Sequence, residues 1–191
     1  MRQYNIYPEC YVDTNLIGFI IGGHPKHKST CNEVVKAVNN SDVFAIGIID
    51  ADKRQATLDP GFEEYVQEEK VDGKNRHLSM YIHADGRRFV FMVKPAMDMF
   101  IMHAAASENV RLIDYGFPSD FDAFRKMTKT IQAGQDPRLR RLFSAIAGFP
   151  ELERLRDTLK YLMNKQYQAS VEVAKQFFNG SLTSLDLPLY L

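Results

Sequence analysis

The sequence predicts an α/β layer fold, and three observations carry that prediction. Short β-like runs alternate with helical runs in the first half, residues 43–49 (VFAIGII) form an unbroken apolar run, and the second half is helical throughout. A continuous apolar run without alternation suits a central strand covered on both faces, as in a mostly parallel sheet flanked by helices. The 191 residues are 45% hydrophobic and 25% charged, close to the globular average. One compact unit is therefore expected, with an α/β core over 1–110 and a helical section over 111–191 packed on it.

Element by element, residues 3–7 suit a first strand. Residues 11–21 carry Val12, Leu16, Ile17 and Ile20 at helical spacing, ended by Gly22 and Gly23. Ser29 and Thr30 offer caps for a short helix over NEVVKAVNN, before the strand at 43–49. Asp59-Pro60 reads as a helix start with proline in the first turn, followed by an acidic helix. Residues 59–72 hold six acids against one Lys, which suits a solvated face. Residues 77–83 and 88–94 flank Asp85-Gly86, the pair that favours a tight antiparallel hairpin. With Lys94-Pro95 the chain turns helical: a helix begins in PAMDMFIMHAAA, another runs over 120–133 ending at Gly134, a third from Asp136-Pro137 to Gly148, and a long one from Pro150 to about Asn179. The tail SLTSLDLPLYL has one charge, so it is expected to dock on its own domain or on a partner.

Charge and cysteine count bound the function. With 24 Lys+Arg against 24 Asp+Glu there is no chain-wide basic field, so contact with nucleic acid requires a local patch. Cys10 and Cys31 supply neither a four-thiolate zinc site nor a disulfide framework, and no apolar run is long enough for a signal or a membrane span. A cytoplasmic protein with no membrane partner is the expectation.

Two acids stand one residue apart at the end of the 43–49 strand, Asp50 and Asp52. Strand carboxyl ends are where open α/β sheets place ligands, and two carboxylates in one turn can share a hard divalent cation; they also serve simply to solubilise a strand end. A second acid site, Glu9 with Asp13, follows the first strand in Glu-Cys-Tyr-Val-Asp-Thr. Together, over about the first 55 residues, these motifs resemble those of the TOPRIM family, a Glu closing strand one with an Asp four residues on, then an apolar strand ending in Asp-x-Asp. Cys10 stands where that family usually has Gly.

The resemblance implies a TOPRIM-like α/β sheet with an added antiparallel hairpin and a helical C-terminal section. It implies Mg²⁺ (or Mn²⁺) at Asp50 and Asp52, with Glu9 as general acid/base or metal contact, in phosphodiester chemistry on nucleic acid. Asp98, opening the helix after Lys94-Pro95, is an additional candidate ligand and equally an acid suited to a helix N-terminus. In size the chain resembles the small stand-alone TOPRIM nucleases, such as the one maturing ribosomal RNA, and TOPRIM-like proteins of bacterial mobile-element defence. The leading expectation is a Mg²⁺-dependent nuclease, and the alternative is a non-catalytic TOPRIM-fold binding or adaptor subunit. Its partners would be nucleic acid and, through the C-terminal helices and tail, a protein.

Candidate phosphate contacts are Lys28, Lys53 and Arg54. Residues 125–141 add a basic patch of Arg125, Lys126, Lys129, Arg138, Arg140 and Arg141 against the single acid Asp136, with Phe121, Phe124 and Phe143 beside them. Three other readings are weaker. Residues 22–29 nearly match a phosphate-binding loop but lack its second glycine and carry Pro25, which removes an amide donor. The five scattered histidines lack zinc-site spacing. A receiver-like phosphoacceptor at Asp50, with Lys94, lacks the early acid pair.

Overall fold

The computed structural model of the chain describes residues 5–51, 57–65 and 77–190. Asp52, Lys53 and Arg54, together with residues 66–72 of the acidic run over 59–72, lie outside the described residues. Five strands form one mixed sheet in the order β1-β2-β5-β4-β3: β1 Ile6–Pro8, β2 Ala45–Asp50, β3 Phe62–Tyr65, β4 Leu78–His83 and β5 Arg88–Val93. β1, β2 and β5 run parallel, while β4 pairs antiparallel with β5 and with β3. The second strand of the hairpin is thus itself the third parallel strand. The sheet is therefore evenly mixed rather than mostly parallel.

Alternation along β2 divides the two layers. Ala45 and Ile49, with Val90 and Met92 of β5, face helix α2 (Cys31–Asn39) through Val34, Val35 and Val38. Ile46 and Ile48, with Phe89, Phe91 and Val93, face the opposite layer. That layer contains α1 (Tyr11–Ile21), α3 (Met97–Ser107), α4 (Phe121–Thr128), α5 (Pro137–Ala145), α6 (Pro150–Lys165) and α7 (Val171–Asn179). One apolar cluster runs from Ile6 through Phe100 and Phe143 to Phe178, tying the C-terminal helices to the sheet. Asp50 shares the parity of Ile46 and Ile48, so its carboxylate enters the α1/α3 side.

Gly47 lets α2 pack closely on the sheet. A Cβ there would stand 2.9 Å from Val34 Cγ1 and 3.1 Å from Val38 Cγ2. Gly47→Ala is expected to destabilise by about 1–3 kcal/mol, the usual cost of overpacking, read from urea unfolding.

Three sequence expectations are corrected. Residues 62–65 are an edge strand, where a helix is expected from Asp59-Pro60. The Phe62 amide donates to the Asp59 carbonyl and the Gly61 amide to Asp59 Oδ1, so Asp-Pro-Gly closes a β-turn. The helix expected over 120–133 stops at Thr128 and gives way to a 3₁₀ turn over Ile131–Gln135. There the Thr130 hydroxyl donates back to the Met127 carbonyl, competing with the helical pattern. The single helix expected from Pro150 is broken over residues 166–170, where Gln166 has φ +47° and Ser170 caps α7. In the tail, Leu187 is buried, whereas Leu185 and Leu189 are 88% and 82% exposed. No helix among the described residues is long and apolar enough to cross a membrane.

Candidate functional site

The parallel strands aim their carboxyl ends at one place, and acids follow each. Glu9 succeeds β1, Asp50 ends β2, and Asp98 lies in the first turn of α3, after β5. Glu9 Oε2 accepts the Asp50 amide at 3.1 Å, which ties the first two strand ends together. Asp50 Oδ1 accepts the Met97 amide at 2.9 Å, so β2 supplies the cap that Ala96, at the N-cap position of α3, has no side chain to provide. Asp13 lies in the first turn of α1 with its carboxyl fully buried. The Cys10 amide donates to its Oδ2 at 3.2 Å and the Cys10 thiol to its Oδ1 at 2.8 Å.

Cys10 itself has φ −119°, extended backbone that any residue adopts. The turn after β1 therefore does not require glycine, and the thiol gives Asp13 a donor that glycine would lack.

These acids repel one another in a poorly solvated space. Burial first, then the charges of Glu9 and Asp98, push Asp13 up to about 7, against the two bonds from Cys10 that pull it down. Burial and then the Asp13 charge push Asp50 up to about 9, with the Met97 amide opposing. Burial raises Asp98 as well, opposed by the Thr128 hydroxyl and by the positive charges of Lys129 and Arg125. The Cys10 thiol is raised by burial and by the charges of Asp13 and Asp50, so it is no thiolate nucleophile.

Asp98 is 1% exposed and Thr128 wholly buried, and the Thr128 hydroxyl donates to Asp98 Oδ1, pinning α4 to α3. Spacing gives no sign of this bond. The same contact brings part of the basic patch to the acids, since Arg125 and Lys129 are exposed neighbours of Thr128. Arg138 instead bonds Asp136, with Nη2 2.7 Å from Oδ2, and lies 4.9 Å from the Phe117 ring. Arg141 lies over Tyr115, while Lys126 and Arg140 are exposed.

Lys28 sits along the outer edge of β1. Its amide donates to the Pro8 carbonyl and its ammonium stands 5.5 Å from the Tyr7 ring. His27 stacks on Tyr11 at 4.3 Å. Gly22, with φ +61°, caps α1, so the segment before the phosphate-loop-like stretch is a helix rather than a strand.

The donor chemistry at the strand ends is all carboxylate oxygen, which suits a hard divalent cation. Among the described residues, no three His, Cys, Asp or Glu side chains stand together as a group that could hold a metal ion. Of the sequence-expected ligands, Glu9, Asp50 and Asp98 are brought to one end of the sheet, and Asp52 lies outside the described residues. No family model, curated protein or solved structure matches the chain.

Proposed function

We propose that the chain is a TOPRIM-like, Mg²⁺-dependent phosphoryl-transfer enzyme acting on nucleic acid, a nuclease that hydrolyses phosphodiesters. The observation that carries this reading is that Glu9, Asp50 and Asp98 all lie at the carboxyl ends of three adjacent parallel strands, with Glu9 bonded to the Asp50 amide. Glu9 and Asp50, completed by Asp52, would hold the cation; Asp98 is the further candidate. When bound, the cation neutralises charge on the reacting phosphate and makes a bound water more acidic. Glu9, half-buried and oriented by the Asp50 amide, is the group suited to moving a proton at its carboxylate.

The test is cleavage of labelled DNA and RNA with Mg²⁺ or Mn²⁺. Native protein is expected to cut, and Asp50→Asn and Glu9→Gln to cut far less. Absence of cleavage by native protein, with no metal bound in calorimetry, would overturn the reading. One observation favours the second reading, a non-catalytic binding or adaptor subunit: the exposed Leu185 and Leu189 in the tail suit a protein partner.

A further inference from the structure

Of the six cations in the basic patch, two are set apart by their position. Phe124 and Thr128 form the buried stripe of α4, and at about 100° per residue Arg125 and Lys129, the C-cap residue that follows the last turn, fall together on one rim of that stripe. Lys126 falls farther round the helix. Residues four apart on a helix carry Cβ atoms about 5–6 Å from each other, so the two cations act as a pair. Both are exposed, and no described carboxylate forms an ion pair with either. Their placement is fixed from below by the bond from Thr128 to buried Asp98, which stands on the first turn of α3 beside the Asp50 cap. Arg138, by contrast, is held by Asp136 and by the Gly116 carbonyl.

We infer that Arg125 and Lys129 form a clamp for the phosphodiester backbone of a nucleic-acid strand, holding it across the acidic strand ends. This inference rests on the proposed nuclease reading and deepens it. A strand that approaches these carboxyls needs a neighbouring positive charge to hold its phosphates, and this pair borders the acids through the contact of Thr128 with Asp98. Because the contacts are to phosphate, the clamp positions the strand without reading its bases. It also localises binding in a chain with no net charge to attract nucleic acid.

The experiment measures anisotropy of a labelled single-stranded DNA, and of the same sequence as RNA, in EDTA so that binding is separated from cleavage. Salt is varied between about 50 and 200 mM. Arg125→Ala/Lys129→Ala is expected to weaken binding of both strands roughly 10-fold or more and to reduce the salt slope by about 1.4, the loss of two phosphate contacts. Lys36→Ala, an exposed cation of α2 on the opposite face of the sheet, is expected to bind as native does. Equal affinity of the double variant and native protein, or no binding of either strand by native protein, would overturn the clamp. Failure of the nuclease reading has a different signature: Asp50→Asn would then leave any cleavage unchanged, whatever the clamp variants bind.

Discussion

In metal-free buffer near pH 8, Asp50→Asn is expected to be more stable than native protein by about 2 kcal/mol or more, and with Mg²⁺ added to cleave strands less than native protein by on the order of 10²-fold or more. The two effects have one cause. Burial and the neighbouring charges of Asp13, Glu9 and Asp98 raise Asp50, and burial with Glu9 and Asp98 raises Asp13. An unfolded chain releases these protons near pH 4, whereas the folded chain keeps them up to about 7 at Asp13 and about 9 at Asp50. Throughout that window the folded state binds more protons than the unfolded state. Stability from this pair is therefore complete below about pH 4 and is lost as pH rises through the range in which the folded pair gives up its protons.

Asp85 and Asp136 run the other way. Bonds from Arg87 and Arg88 hold Asp85 low against its burial, and Arg138 holds Asp136 low, so their contribution is present at neutral pH and lost in acid. The native optimum is accordingly expected in mildly acidic buffer. An asparagine at position 50 carries no charge at any pH and still offers Oδ1 to the Met97 amide, so the helix cap survives. Urea midpoints with EDTA at about pH 5 and pH 8 read the difference: the variant gains at the higher pH and nearly matches native protein at the lower. A variant less stable than native at both would refute the assigned cause. Adding Mg²⁺ at pH 8 is expected to raise the native midpoint and leave that of the variant nearly unchanged, because a bound cation stabilises only the folded acids that hold it.

How much of this was legible in the sequence follows from how local each signal is. The apolar run at 43–49 announced β2 because burial on both faces removes alternation, and Asp85-Gly86 announced the β4–β5 turn because few pairs adopt its backbone. Glu9 and Asp50 were readable as neighbours for a related reason: each closes a strand, and parallel strands end together. The edge strand β3 was misread because Asp-Pro begins helices and turns alike, and only the approach of Gly61 to His83 chooses between them. Asp13 was visible as part of a motif, but its complete burial was not, since that depends on α1 being roofed by the C-terminal helices. The contact of Thr128 with Asp98 was not legible at all. It joins two helices at no characteristic spacing, and without it the cations of α4 read only as a solvated face.

That contact yields the other large expected effect. Thr128→Val keeps the shape of the side chain and removes the hydroxyl, leaving a nearly buried carboxyl at Asp98 without the donor that α4 gives it. A buried polar group deprived of its partner costs about 1–3 kcal/mol, and more when charged, so urea unfolding is expected to show a loss of about 2–3 kcal/mol. Thr128→Ser keeps the donor and loses only a methyl group, so it should recover most of that difference; equal losses in both variants would assign the effect to packing instead. The proposed clamp makes a second demand on the same pair. If the bond holds Arg125 and Lys129 over the acids, the valine variant, assayed where it remains folded, must also bind a labelled strand more weakly than the serine variant, although neither change touches a charge. A stability loss with unchanged strand affinity would leave the bond as an ordinary pin between α3 and α4, and would place the positioning of the two cations in the rest of the α4 packing.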